Sequence, residues 1–488
     1  MTAVEIPFGD RFIPVTLPEG SDVLRMAEPE ALPDPANAIR EALDRPIMSA
    51  SLAAVAREKA VRALKEGRAA QACIVVSDNT RPVPYKGPGG VLEPILRTLS
   101  GQGYAPEDII LLVAAGTHRA MTQDELALML GHEVMASGVR IVQHNCLDEA
   151  GLVHIGTTER GTVAKINKLY VQADLKILTG LVESHFMAGA SGGRKAICPG
   201  IFGEQGTFIF HSASLMAHPN ARDLCLEDNP VHQESLAVAK MAGADFIANV
   251  TIDGSFRITG VFCGDLEAAH AAAVAKLKSY VGIPIRRRYD LVVTHGGFVA
   301  VNHYQAAKAA VAALGAVKDG GGLILAANNK DPNPVGSNRY RAVLSLLKLV
   351  GAEALDRVLA SPDWPFVPEQ WQVQEWAKVF KKISFTDFVY YAPQLDSKDW
   401  RDLPGTDGRS LLDRGALPGP GALEGVDPKL GRNGAEAEEM LPRVVEASVN
   451  RFMHSRGFGP RDVAEGRFRI AFLADGPYGI PLPQEEES

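Results

Sequence analysis

The chain has only five cysteines in 488 residues: Cys73, Cys146, Cys198, Cys225 and Cys263. Their number is odd and none stand at close spacing, so neither a disulfide framework nor a CxxC zinc site can be read from them. Long apolar runs are missing as well. No stretch reaches the roughly 18 residues that a membrane span needs, and no membrane partner is expected. Residues 1–12 carry Glu5 and Asp10 and lack an apolar core, so they do not read as a secretory signal. These absences point to a soluble protein of a reducing, cytoplasmic compartment. Positive charge is in short supply too. Lys and Arg number 50 against 58 Asp and Glu, a net charge of −8, which argues against a nucleic-acid partner.

What is present is ordinary globular composition, 46% hydrophobic and 22% charged, with 47 glycines and 31 prolines marking tight turns and close backbone approaches. The length fits two large domains. Short apolar, β-branched runs recur at 72–76, 109–115, 139–143, 175–179 and 246–252, and helix-like stretches such as 52–65 and 91–101 lie among them. This alternation predicts α/β layers with buried strands. An Ala-rich helix is expected over 266–280. The Arg286-Arg287-Arg288 run after it reads as a solvated junction. A new α/β unit follows, with strands at 291–294 and 322–327, a helix at 303–314 and a last strand at 468–473. We therefore expect two α/β domains. Residues 1–275 form the N-terminal one. Residues 285–488 form the C-terminal one, with a last segment able to pack back on the N-terminal domain. A Gly/Pro-rich insertion covers 402–434, and a helix is expected at 436–450 with Pro442 as a flaw.

Eight of the twelve histidines fall between His118 and His232. His132, His144, His154 and His232 stand in ordinary contexts, and His218 adjoins Pro219. His118 and His185 differ, because each follows a buried-strand pattern and should stand at a strand's carboxyl end, where open α/β sheets place function. Two imidazoles so placed suit removal of a proton from one face and delivery to the other. The run Ser191-Gly192-Gly193-Arg194-Lys195-Ala196 can form an anion nest, but it is not a Walker A loop, since Ala196 stands where Ser or Thr would hold magnesium. Lys195 can instead be a nucleophile. His211 is able to hold a metal through one imidazole nitrogen. Gln305 and Lys308 share one face near a helix start, an amide and an ammonium suited to a carboxylate or an α-hydroxy oxygen.

Taken in order, these segments resemble the lactate racemase family. The resemblance rests on Ser77-Asp78-Asn79-Thr80-Arg81-Pro82, Gly116-Thr117-His118-Arg119, Glu183-Ser184-His185-Phe186, the run from Ser191 to Ile201, His211 and Tyr304-Gln305-Ala306-Ala307-Lys308. It is strong from about residue 70 to 330. It implies a nickel-pincer nucleotide attached to Lys195 through a thioamide, with His211 as the protein ligand to nickel. It makes His118 and His185 the opposed acid/base pair and Arg81 the grip on the substrate carboxylate. Gln305 and Lys308 become substrate contacts from the second domain, so the resemblance implies an active site in the cleft between the two α/β domains, with the cofactor and catalytic bases on residues 1–275. Asp78, Thr80, Ser191, Gly192, Gly193 and Tyr304 become cofactor contacts. The implied activity is racemisation or epimerisation at C2 of a 2-hydroxy acid, by hydride removal and return through a 2-keto acid. Separate cofactor-synthesis and nickel-insertion proteins would mature the enzyme, and a homo-oligomer is compatible with it.

The chain departs from the family at 296–303, where a Pro and an Asp are commonly found, and His303 there is unexpected. Residues 331–336 and 402–434 depart too. These changes fall on the substrate side, so a substrate larger or more polar than lactate is expected, with Trp371 lining its pocket. One rival is a non-catalytic carrier of the same cofactor, or a small-carboxylate-binding protein; keeping both His118 and His185 favours the enzyme. A nicotinamide-dependent oxidoreductase would need GxGxxG after the first strand, where Asp78-Asn79-Thr80-Arg81 stands.

Overall fold

The computed structural model describes residues 1–412 and 431–484, with the side chains of 431–435 left aside. It divides into two compact units. The N-terminal unit is Glu28–His211 with His218–Tyr280. The C-terminal unit is Met1–Ala27, Ser212–Ala217 and everything described from Val281 onward.

The N-terminal unit is built on a six-stranded sheet in the order Ile258–Gly264, Phe246–Ile252, Leu175–Leu181, Ala72–Ser77, Ile109–Ala114, Arg140–Gln143. All pairings are parallel except that of Ile258–Gly264 with Phe246–Ile252. The central strands are mostly apolar along their length because both their faces are buried. Helix Leu52–Lys65 starts where the Ser51 side chain accepts from Ala54 N, and it turns Leu52, Ala56 and Ala63 inward. Tyr85 is buried beside the sheet. Its hydroxyl accepts from Ser77 N at 2.6 Å and lies 2.9 Å from Thr179 Oγ1. The last amide of Ala72–Ser77 is thus satisfied away from the ladder, and the chain leaves the sheet at Asp78.

The C-terminal unit holds a second six-stranded sheet, Thr406–Asp407, Phe388–Tyr391, Val317–Ala326, Tyr289–His295, Ile470–Leu473, Asp22–Leu24, parallel throughout. Its last strand corrects the expected boundary. Residues 1–27 belong to this unit, not to the N-terminal one. The hairpin Thr2–Phe8 with Arg11–Leu17 buries Val4, Ile6, Phe8, Ile13, Val15 and Leu17 in the same core as Leu291 and Val293. A two-stranded hairpin cannot cover its own apolar face, so it needs this partner. The end of the chain likewise stays here. Ile470–Leu473 lies in this sheet and Ile480–Pro483 pairs with Gly282–Ile285. Ile13→Val should cost about 0.5–1.5 kcal/mol. Hydrogen exchange should register the loss in the C-terminal sheet; a loss confined to the N-terminal sheet would contradict this placement.

Of the expected insertion at 402–434, residues 413–430 lie outside the described residues. Its flanks are ordered, with strand Thr406–Asp407 on one side and helix Gly431–Ser455 on the other. The helix runs through Pro442. Leu441, Val444, Val445 and Val449 are buried in the hairpin's core. Each contributes about 1.5–3 kcal/mol, which outweighs the roughly 3 kcal/mol of an internal proline. Among the described residues, no helix is long and apolar enough to cross a membrane.

Candidate functional site

Three neighbouring strands of the N-terminal sheet deliver polar residues at their carboxyl ends, as open parallel sheets do. After Ala72–Ser77 comes Asp78, 4% exposed. Its Oδ1 accepts from Thr80 N at 3.2 Å and Thr80 Oγ1 at 2.5 Å. Its Oδ2 lies 2.7 Å from His118 Nδ1. Burial works to raise the Asp78 carboxyl, but the hydrogen bonds from His118 and Thr80 outweigh it and hold it below its ordinary range. An ionised Asp78 can only accept, so Nδ1 of His118 carries a proton, and in the neutral ring it is Nε2 that presents a lone pair. His118 itself follows Ile109–Ala114, and its side chain is 57% exposed. Arg81 is half-buried and donates to Glu183 Oε2 at 3.1 Å, which joins the first strand's loop to the third's. Thr80, itself exposed, thus supports Asp78.

After Leu175–Leu181 come Glu183 and a short hairpin, Ser184–His185 with Gly189–Ala190. His185 Nδ1 accepts from the amides of Met187 and Ala188 at 3.4 and 3.2 Å, and Nε2 lies 3.0 Å from Lys195 Nζ. The acid/base candidate and the tethering candidate are therefore direct neighbours. Ser191 is clasped inward: its hydroxyl donates to Leu181 O at 2.8 Å and accepts from Glu183 N at 2.9 Å. Gly192 has φ 75° and Gly193 φ 51°, a positive-φ backbone that side chains rarely adopt. Gly193 N donates to Asn249 Oδ1 at 2.8 Å.

Buried residues hold this loop from behind, one from the loop itself and others from distant parts of the chain. Arg194 is 1% exposed, and its guanidinium donates to Ala190 O at 2.9 Å and Ala188 O at 2.6 Å. His270, from the Ala-rich helix Ala268–Val281, lies 2.8 Å from Ser191 O. Burial and the nearby Arg194 charge push the His270 imidazole down to about 3, so it is neutral and donates Nε2–H to that carbonyl. Three carbonyls of residues 188–191 are thus drawn into the protein. Local spacing could not have found His270 or Asn249; they lie 79 and 56 residues from their loop partners.

His211 ends the short helix Thr207–Phe210 and lies against Phe210, ring centroids 4.2 Å apart. Burial first, and the positive field of Lys195 second, push its imidazole down to about 3. It is a neutral ring, as a metal ligand must be. Among the described residues, no group of three or more His, Cys, Asp or Glu could hold a metal ion. A metal bound by His211 would have to bring its other ligands with it, and a pincer complex tethered at nearby Lys195 fits that donor set. His144 is a satisfied core residue, with Nε2 3.0 Å from Phe202 O and Nδ1 3.2 Å from Asn167 Nδ2.

The remaining candidates belong to the C-terminal unit. Asn302 caps helix His303–Ala313 by accepting from Gln305 N at 2.9 Å. Tyr304 is fixed by helix Gln370–Lys382: Trp371 Nε1 donates to its hydroxyl at 3.0 Å and Gln372 Nε2 to its carbonyl at 2.5 Å. Gln305 and Lys308 follow on the same helix. His303 is 1% exposed, stacks on Trp376 at 4.5 Å and lies 2.8 Å from Tyr340 Oη. It is a core residue and not a substrate contact.

These features define a two-unit α/β protein with imidazole, guanidinium and amine groups at the strand ends of its N-terminal sheet, a candidate ligand site. Residues 8–223 match the model of the lactate racemase N-terminal domain, and residues 286–396 that of the C-terminal domain. The lactate racemase of Lactiplantibacillus plantarum is 33% identical over 386 residues, covering 78% of this chain and 86% of that protein. The lactate racemase of Thermoanaerobacterium thermosaccharolyticum is 31% identical over 407 residues, covering 80% and 89%. The structure of the lactate racemase apoprotein from the latter organism superposes with a TM-score of 0.77 at 26% identity, over 98% of this chain and 100% of that one. The chain belongs to the lactate racemase family.

Proposed function

We propose that this protein is a racemase or epimerase that inverts C2 of a 2-hydroxy acid larger or more polar than lactate, with a nickel-pincer nucleotide attached to Lys195. The observation that carries this reading is the Asp78–His118 pair at 2.7 Å and the His185–Lys195 pair at 3.0 Å, at the ends of strands whose loops Arg81 and Glu183 join. When bound, the cofactor supplies a hydride acceptor and donor, and that chemistry is its own. Lys195 would tether it and His211 would offer nickel an imidazole. His118, with Nε2 open and Nδ1 held by a carboxylate, takes the hydroxyl proton of one enantiomer as its C2 becomes planar. His185 serves the other enantiomer, whose hydroxyl points the opposite way. Arg81 keeps donors beyond the one given to Glu183 and anchors the substrate carboxylate while the planar 2-keto acid turns. Gln305, Lys308 and Trp371 are the proposed substrate contacts on the C-terminal unit.

Protein made alongside cofactor-synthesis and nickel-insertion proteins should carry a mass adduct mapping to Lys195. It should also convert single enantiomers of a 2-hydroxy acid into a mixture, followed by chiral chromatography. Active protein with an unmodified Lys195 would refute the tether, and full retention of optical purity across a panel of 2-hydroxy acids would refute the activity.

A further inference from the structure

Glu183 stands among the site residues of the N-terminal unit, yet the proposed chemistry gives it no part. It is held on two sides. Its backbone is locked to the loop that bears Lys195: Glu183 N donates to Ser191 Oγ and Ser191 N donates to Glu183 O, each at 2.9 Å. Ser191 O is fixed in turn by His270, at 2.8 Å. The side chain of Glu183 reaches across to the neighbouring strand's loop, where Oε2 accepts from Arg81 Nη1 at 3.1 Å, over 102 residues of sequence.

Folding stability does not account for this pair. The two side chains are 34% and 28% exposed, and an ion pair so open to water contributes little to the fold. What the pair does is restrict Arg81. An arginine loose on a loop samples many rotamers, and fixing it when a ligand binds costs entropy. Here the Nη1 bond is already made, while Nε and Nη2 have no hydrogen-bond partner among the described residues. Those two nitrogens form one edge of the guanidinium, the fork that takes a carboxylate bidentately. Glu183 therefore ties Arg81 to the Lys195 loop and spares the edge that a ligand carboxylate needs. His185 follows two residues later, with Nε2 3.0 Å from Lys195 Nζ, so one short segment sets both the grip and the base.

We infer that Glu183 is a positioning residue that fixes the Arg81 guanidinium for the substrate carboxylate. The inference rests on the proposed role of Arg81 and deepens it: Arg81 touches the carboxylate, and Glu183 acts through Arg81 alone. Its charge sets up the opposite expectation. A carboxylate that acted mainly as a nearby negative charge would repel an anionic substrate, and its removal would tighten binding. A carboxylate that positions Arg81 does the reverse, and its removal weakens binding although the site becomes more positive. The two roles differ in sign.

Racemic glycerate, which undergoes no net turnover, is the binding probe, read by calorimetry on protein made alongside the cofactor-synthesis and nickel-insertion proteins. Glu183→Ala should weaken its binding about tenfold, whereas Glu183→Gln, which keeps an oxygen for Arg81 Nη1, should stay within about threefold of wild type. In the Arg81→Ala background, Glu183→Ala should change nothing further, because the two residues act as one. With single enantiomers, KM in Glu183→Ala should rise as far as binding weakens, while kcat holds within about threefold. Both Glu183 variants should melt near wild type, as an exposed pair requires. Unchanged or tighter binding in Glu183→Ala, equal losses in the Ala and Gln variants, or the same Glu183→Ala loss without Arg81 would overturn the positioning role. Failure of every 2-hydroxy acid to racemise, with these glycerate results in hand, would instead sink the proposed activity and leave the role standing. No binding of glycerate by the wild type would overturn both.

Discussion

Asp78→Asn is expected to slow the proposed racemisation by about 10²- to 10⁴-fold with the fold intact. Both carboxylate oxygens are in use, one by Thr80 N and Oγ1 and the other by His118 Nδ1. Asparagine offers one oxygen and one NH₂. If the oxygen stays with Thr80, which has two donors aimed at it, the NH₂ faces His118. Nδ1 must then accept, Nε2 takes the ring proton, and the base is lost. His118→Asn should fall as far, since it removes the ring itself. Thr80→Val, which frees the asparagine to rotate, should restore part of the rate in the Asp78→Asn background. Rates by chiral chromatography beside circular dichroism decide this. A variant within about twofold of wild type would remove the pair from the mechanism.

The same pair has a pH signature. Asp78 is held below its ordinary value in the folded protein, because the bonds from His118 and Thr80 outweigh burial. A carboxyl with a depressed folded value stabilises the fold above the unfolded value, about 4, and loses that contribution as pH falls through the folded one. Stability from this pair should therefore be flat above about pH 4 and decline below it. In Asp78→Asn that part of the acid decline should vanish from the unfolding curve.

Much of this was legible in the sequence, and the limits have physical causes. The central strands, the helix Leu52–Lys65 and the placement of His118 and His185 beyond strands follow from continuous apolar runs ended by polar turns. Residues 1–17 alternate as a hairpin should, but alternation says only that one face is buried, not which sheet covers it. The answer lay in Ile470–Leu473, near the other end of the chain. Pro442 argued against a helix by its local chemistry and was outweighed by burial on either side. His270 was hidden for the opposite reason. An Ala-rich helix with one histidine looks like any surface helix until its partner, Ser191 O, is known.

Gly193→Ala is the second large effect we expect, and it tests whether the loop bearing Lys195 is shaped from behind. Gly193 has a positive φ, and a Cβ there would stand 2.8 Å from Cγ and Cδ2 of His270. The left-handed backbone costs an L-residue about 1–2 kcal/mol and overpacking about 1–3 kcal/mol more. His270 cannot swing aside cheaply, because its Nε2 is committed to Ser191 O and its ring is stacked beside His232. The loop must therefore move, and with it the Arg194 bonds to Ala188 and Ala190. We expect the variant to lose about 2–5 kcal/mol of stability and most of its Lys195 adduct. The double variant Gly193→Ala with His270→Ala separates the causes. It removes the clash but leaves the strained φ and the unsatisfied Ser191 carbonyl. Stability should then recover in part while adduct formation stays low. Full recovery of both would mean that His270 only fills space, and that the carbonyls of residues 188–191 need no holding to present Lys195.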